Sequence, residues 1–255
     1  MASTQQAGSG VPEPRLATTA LFLDLDGTVV DFRYDPAEVV LEAALRATLE
    51  RLHRRLDGAL AVVSGRRLGD IDRMLAPLRL PAAGLHGAER RNAAGRLHRS
   101  PALPAMDRFR AALAGFRLRH GEIEVEDKGG AIALHYRRWP AAAAAIRAFV
   151  DDSLRQHGAA LDALYGKMVV EVRARGADKG RAIAAFMAEP PFQGRRPVFL
   201  GDDVTDEDGF RAVAAAGGIA IRVGAPIAAA AHCLPDVPAA VAWLGRLAAD
   251  GEAGA

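Results

Sequence analysis

Ala20-Leu21-Phe22-Leu23-Asp24-Leu25-Asp26-Gly27-Thr28 decides the fold. Its first four residues are aliphatic or aromatic without a polar interruption, the pattern of a short buried strand. Such a strand delivers Asp24 and Asp26 to its carboxyl end, which in an open parallel sheet is where ligands bind. Two carboxylates one residue apart, followed by a glycine that permits a tight turn, suit a site combining a hard metal ion, a nucleophile and a proton donor.

Outward from this strand the chain alternates strand and helix. Leu21–Leu25 is followed by a predicted helix from about Pro36 to Leu56 and a strand at Ala59–Val63 that ends in Ser64-Gly65-Arg66. A helix at about Leu68–Leu75 and a short strand near Ala82–Leu85 continue the rhythm. It resumes at about Ala177, with a helix starting near Lys179 and a buried strand, Val198-Phe199-Leu200, ending in Gly201-Asp202-Asp203. A helix over Glu207–Ala215, a strand over Gly218–Val223 and a helix after Pro238 close the sheet. This order predicts an α/β protein with a doubly wound, Rossmann-like parallel sheet.

The middle of the chain breaks the repeat. It reads as helix (about Pro104–Arg119), two strands (Glu122–Asp127, Ala131–Tyr136), helix (Pro140–His157) and two strands (Ala160–Leu164, Met168–Val172). Ile123/Val125 and Val170/Val172 alternate with charged neighbours, so this sheet should have one covered and one polar face. The expected organisation is a disordered tail over 1–17, a core from 18–104 and 177–250, and an inserted α+β domain over 105–176.

Composition narrows the function. The 255 residues are 50% hydrophobic and 25% charged, as in ordinary globular proteins, and no apolar run approaches a membrane span. The N-terminal stretch lacks a hydrophobic signal core. A single cysteine, Cys233, excludes an internal disulfide and fits a cytoplasmic location. It reads as a small buried apolar residue. The formal net charge is only +2 and the basic residues are scattered, which argues against nucleic-acid binding. Only Lys128, Lys167 and Lys179 break an otherwise all-arginine basic set, and each offers a compact point charge that guanidinium does not mimic.

Four segments end where an α/β site would form: Asp24/Asp26, Ser64, Lys179 and Asp202/Asp203/Asp206. Two acidic clusters imply a divalent cation, since carboxylates this close repel. All-oxygen ligation favours Mg²⁺, and Mg²⁺ favours sites shared with phosphates. Competing motifs fail on spacing. A calcium loop aligned on Asp206, Asp208 and Gly209 puts Val204 first and Ala215 at the bidentate glutamate. Gly166-Lys167 lacks the first glycine and the hydroxyl residue of a Walker loop, and Ser64 lacks the flanking glycines of a nucleophile elbow.

The set Asp24-x-Asp26-Gly27-Thr28, Ser64, Lys179-Gly180 and Gly201-Asp202-Asp203-Val204-Thr205-Asp206 resembles the four motifs of the haloacid-dehalogenase-type phosphohydrolases. Gly84-Leu85-His86-Gly87-Ala88-Glu89, Val125-Glu126-Asp127-Lys128-Gly129, Ala133-Leu134-His135-Tyr136-Arg137 and Val170-Glu171-Val172-Arg173 resemble the trehalose-6-phosphate phosphatase family. The resemblance implies Asp24 as nucleophile and Asp26 as general acid and base. It implies Mg²⁺ held by Asp24, the Asp26 backbone carbonyl and Asp202. Ser64 and Lys179 would bind the transferring phosphoryl oxygens, with Thr28, Asp203 and Asp206 supporting the site. It makes the inserted domain a cap that reads the sugar through Glu126, Lys128 and Glu171. Arg137 would lie near the phosphate, His86, Gly87 and Glu89 would lie at the seam of core and cap, and these residues with Arg66 would contribute to substrate binding. The expected partner is a small sugar phosphate handled by a monomer.

Other readings stay open at this level. Glu126, Lys128 and Glu171 also fit a solvated sheet face with cross-strand ion pairs. The same chemistry could serve sucrose phosphate or mannosyl-3-phosphoglycerate, a phosphotransfer mutase, or a non-catalytic sugar-phosphate sensor.

Overall fold

The computed structural model describes residues 10–31, 41–101, 103–120, 123–127, 130–157, 160–166 and 168–249. In chain order the elements are β1 (Thr19–Leu23), α1 (Ala43–Arg55), β2 (Leu60–Val63), α2 (Leu68–Leu75), β3 (Ala82–Gly84), β4 (Glu89–Arg91) and β5 (Leu97–Arg99). Then come α3 (Leu103–Arg119), β6 (Glu124–Asp127), β7 (Ala131–His135), α4 (Ala143–His157), β8 (Leu161–Gly166) and β9 (Val169–Ala174). The chain closes with α5 (Lys179–Met187), β10 (Arg196–Gly201), α6 (Glu207–Ala215), β11 (Ile219–Val223), β12 (His232–Leu234) and α7 (Val237–Ala249). They form two compact units, one holding the described residues through Val62 and from Ile183 onward, the other running Val63–Ala182.

In the first unit, parallel strands lie in the order β12-β11-β10-β1-β2. Every residue of β1 is buried, as the apolar run Ala20–Leu23 requires of a central strand with both faces covered. Phe22 stacks on Phe192 at 5.4 Å between ring centroids. From β1 the chain crosses through α1 to β2 on one side, and from β10 through α6 to β11 on the other. The order therefore reverses between β1 and β10. Leu23 pairs with Leu200, and the Asp24 N–H donates to the Leu200 carbonyl at 3.0 Å. The two acid-bearing strand ends are thus neighbours at a topological switch point, where open α/β sheets bind ligands.

The second unit contains the antiparallel strands β3-β4-β5 and a separate antiparallel sheet in the order β6-β7-β9-β8. The latter is half covered. Val170, Val172 and Ala174 are buried along β9 while Val169, Glu171 and Arg173 point the other way. The buried face packs with Met106, Phe109 and Phe116 of α3 and Ile146 and Val150 of α4. This is the one-sided sheet that the alternation predicts.

Some expectations shift. The described helix before β2 is Ala43–Arg55, while residues 36–40 of the predicted helix lie outside the described residues. The polar strands β4 and β5, and the short β12, carry no apolar run long enough to read as strands. Of the tail expected over 1–17, residues 1–9 lie outside the described residues, and Glu13 pairs with Arg246 at 3.3 Å. Cys233 is half-buried rather than buried, its Sγ 2.8 Å from the Gly224 carbonyl oxygen. Among the described residues no helix is long and apolar enough to cross a membrane.

Candidate active site

The acidic centre is built from two strand ends of the first unit. Asp24 follows β1 and is 5% exposed; Asp202 follows β10 and is half-buried. One carboxylate oxygen from each of Asp24, Asp202 and Asp206 lies within 4.8 Å of the others. Three negative groups at that spacing repel unless a cation or protons intervene. The donors are all hard oxygens, the set that suits Mg²⁺.

The turn after β1 brings a hydroxyl between two of these acids. Thr28, fully buried, donates from Oγ1 to Asp202 Oδ1 at 2.9 Å, and the same oxygen stands 3.4 Å from Asp24 Oδ2. The Gly27 N–H donates to the Val30 carbonyl and the Val30 N–H to Leu25, closing the turn. Gly27 has φ +76°, and a Cβ there would sit 2.2 Å from Asp202 Oδ2. Glycine is required on both counts. Asp26 is half-buried in this turn, bridged to Val30, and its carboxylate is not in the three-acid group.

Asp206 does more than the sequence suggests. It is fully buried, and its Oδ2 accepts from the N–H groups of Asp202 and Asp203 at 3.0 and 2.9 Å. Asp203 is exposed and accepts from the Val204 N–H at 2.7 Å, completing a reciprocal capping box with Asp206. Asp206 therefore both shapes the loop and contributes to the acid group. Read along the chain, five acids between 202 and 208 give no ranking of which turns inward.

In the second unit, Ser64 is 1% exposed and Lys179 2% exposed. Ser64 Oγ accepts from the Arg66 N–H at 3.2 Å, so its own hydrogen is the donor it can offer outward. Lys179 opens α5, whose first turn is capped by Asp178 accepting from the Arg181 N–H at 2.7 Å. A buried ammonium group is costly unless matched by negative charge. His86, at φ +56°, lies against Gly65, where a Cβ would be 2.8 Å from ring atoms Cε1 and Nε2. Gly87, at φ +104°, approaches the Asp178 carbonyl, 3.0 Å from where a Cβ would stand. Glu89, expected to help bind substrate, commits one oxygen elsewhere: Oε1 accepts from the Leu68 N–H at 2.6 Å. Arg66 is half-buried in the loop before α2.

On the open face of the four-stranded sheet, register aligns Glu126, Ala133, Glu171 and Leu164 in one row across all four strands. His135, which pairs with Glu124 in the next row, places Nε2 3.3 Å from Glu126 Oε2. Arg137 is exposed just after β7. Lys128 and Lys167 lie outside the described residues.

The family profile for trehalose-phosphatase matches residues 22–230, most of the chain and all of Asp24, Asp26, Asp202 and Asp206. The chain belongs to the trehalose-phosphatase family. Membership makes it a phosphoric monoester hydrolase. It is 43% identical over 230 residues to a probable trehalose-phosphate phosphatase of Sinorhizobium fredii, covering 90% of this chain and 86% of that one. It is 41% identical over 230 residues to the trehalose-6-phosphate phosphatase of Escherichia coli, covering 89% and 86%. Among solved structures, an Aspergillus fumigatus trehalose-6-phosphate phosphatase aligns with a TM-score of 0.69 over 95% of this chain and 100% of that chain. At 23% identity that likeness speaks for the fold alone.

Proposed function

We propose that the chain hydrolyses trehalose 6-phosphate to trehalose and inorganic phosphate through an aspartyl-phosphate intermediate, with Mg²⁺ as cofactor. The observation that carries this reading is the meeting of Asp24, Asp202 and Asp206 at the switch point of the sheet. The names of the relatives supply the sugar.

The acid group and the Asp26 carbonyl would hold Mg²⁺, which when bound lowers the charge facing an incoming phosphate. Asp24 attacks phosphorus, forming an acyl-phosphate bond as the bond to the sugar oxygen breaks. Asp26 gives its proton to that leaving oxygen. In the second half Asp26 takes a proton from water, whose oxygen attacks phosphorus and frees Asp24 and inorganic phosphate. Ser64 donates to a phosphoryl oxygen and Lys179 neutralises another, the electrostatic work that dominates phosphoryl transfer. Thr28, Asp203 and Asp206 hold the loop ends.

We assign residues 18–104 and 177–250 to the catalytic core and 105–176 to a cap that reads the sugar. Glu126 and Glu171 accept from sugar hydroxyls, Lys128 donates, Arg137 acts near the phosphate, and Arg66, His86 and Gly87 contribute to substrate binding. The shared row of Glu126 and Glu171 supports this, since two carboxylates flanking the small Ala133 suit an uncharged polyol. Action in the cytoplasm is part of the same reading.

A side-by-side substrate panel tests it. Trehalose 6-phosphate should be turned over with kcat/KM at least about tenfold above sucrose phosphate or mannosyl-3-phosphoglycerate. Comparable turnover of all three would reject the narrow substrate, and robust turnover by Asp24→Asn would reject the nucleophile.

A further inference from the structure

The loop bearing Ser64 is held by β3 and the segment that follows it. The Ser64 N–H donates to Ala83 at 2.9 Å, the Leu85 N–H donates to Arg66 at 2.9 Å, and the His86 N–H donates to Ser64 at 3.0 Å. This lacing needs close backbone approach. A Cβ on Gly84 would lie 2.6 Å from the Arg66 carbonyl oxygen and 2.8 Å from the Leu68 nitrogen.

One contact of this set comes from a side chain. Leu68 is the first residue of α2, and its N-cap, Arg67, makes no side-chain cap bond. Glu89, 21 residues further on and in β4, supplies the acceptor instead, at 2.6 Å from the Leu68 nitrogen. A carboxylate at a helix start is favoured both by the orphan N–H groups and by the helix dipole. Only Gly65-Arg66-Arg67 separates Ser64 from that first turn, so fixing α2 fixes the direction of Ser64.

We propose that Glu89 is a positioning residue for Ser64: by capping α2 from β4 it holds the Ser64-Gly65-Arg66-Arg67 turn so that the Ser64 hydroxyl meets a phosphoryl oxygen. The inference rests on the role proposed above for Ser64. It removes Glu89 from sugar recognition and makes its effect common to every phosphate monoester.

The test compares Glu89→Ala and Glu89→Gln on trehalose 6-phosphate and on phenyl phosphate, which carries no sugar. Glu89→Ala should lower kcat about 10- to 100-fold by the same factor on both, with KM for trehalose 6-phosphate little changed. Glu89→Gln, whose amide oxygen still accepts from Leu68, should recover most of the loss. In a Ser64→Ala background Glu89→Ala should cost less than about twofold, because the two act as one unit. A loss confined to trehalose 6-phosphate, a rise in KM alone, a Gln variant as poor as Ala, or full additivity with Ser64→Ala would each overturn the proposal. Should Glu89→Ala not fold, Glu89→Asp, which retracts the acceptor by one methylene, should give a milder equal loss on both substrates; a sugar-specific loss there overturns it. If the native enzyme turns over phenyl phosphate but not trehalose 6-phosphate, the substrate assignment fails while Glu89 is still read on phenyl phosphate.

Discussion

Thr28 donates a 2.9 Å hydrogen bond to Asp202, tying the turn after β1 to the end of β10 across 174 positions of sequence. The same hydroxyl reaches toward Asp24 at 3.4 Å, so one buried hydrogen is placed between two acids of the candidate metal group. Partners that orient metal-binding carboxylates typically matter 10- to 100-fold. Thr28→Val keeps the shape and loses the donor. It should raise the Mg²⁺ concentration for half-maximal activity by about tenfold or more, while Thr28→Ser stays close to the native enzyme. Metal titration of phosphate release checks this, and an unchanged Val variant would remove Thr28 from the site.

Gly27→Ala should be far more damaging than its size suggests. The φ of +76° and the 2.2 Å approach of a Cβ to Asp202 Oδ2 act together, so the new methyl must displace the carboxylate or the turn. Strain of this kind costs about 1–3 kcal/mol. Activity should fall by more than about 100-fold, since the displacement falls on a carboxylate of the candidate metal group. Urea unfolding and phosphate release on one preparation would show both. Loss of stability without loss of activity would mean that the Asp202 carboxylate is free to move.

Sequence legibility followed the physics of burial. β1 and β10 were readable because central parallel strands carry buried apolar runs, here Ala20–Leu23 and Val198–Leu200, and their acids stand at the ends. α6 fell on the predicted bounds, Glu207–Ala215. β4 was not readable, because it carries two adjacent arginines. Arg91 is buried only because Asp72 of α2 accepts from it at 2.6 and 2.7 Å and the Leu80 carbonyl at 2.8 Å. Those partners exist only once the chain has folded. The role of Glu89 was hidden for the same reason: its acceptor geometry depends on a backbone N–H, which has no signature in sequence.

Asp206 should matter to stability as well as to metal binding. Its side chain accepts from two consecutive backbone N–H groups in a fully buried position. Each bond to a charged acceptor contributes about 1.5–3 kcal/mol, and orphaned donors add a penalty. Asp206→Ala should therefore lower stability by about 2–4 kcal/mol, and Asp206→Asn, which keeps one acceptor oxygen, by less. Denaturant midpoints would decide it; equal midpoints for all three proteins would show the loop to be held by other contacts.

Asp24, Asp202 and Asp206 crowd their oxygens within 4.8 Å, which makes a metal response measurable without catalysis. Mg²⁺ bound to the native state alone should raise Tm by mass action, with EDTA reversing the shift and abolishing phosphate release. Asp202→Asn removes one repelling charge. It should raise Tm in EDTA while flattening the response to Mg²⁺. A variant that lost stability in EDTA and kept its Mg²⁺ response would place the ion elsewhere.

Acid sensitivity of the fold should trace to a histidine that the proposed chemistry does not use. His53 of α1 is partly buried, its Nδ1 has no hydrogen-bond partner among the described residues, and burial lowers its pKa from the ordinary 6.5. The unfolded chain takes up a proton near 6.5, whereas the folded protein resists it to lower pH. Between those values the unfolded state binds more protons, so stability is lost as pH falls below the ordinary histidine range and regained as it rises. Urea midpoints measured at about pH 7.5 and about pH 5.5 should differ more for the native protein than for His53→Gln, which does not titrate there. The same fall in both proteins would assign the acid sensitivity to the carboxylates instead.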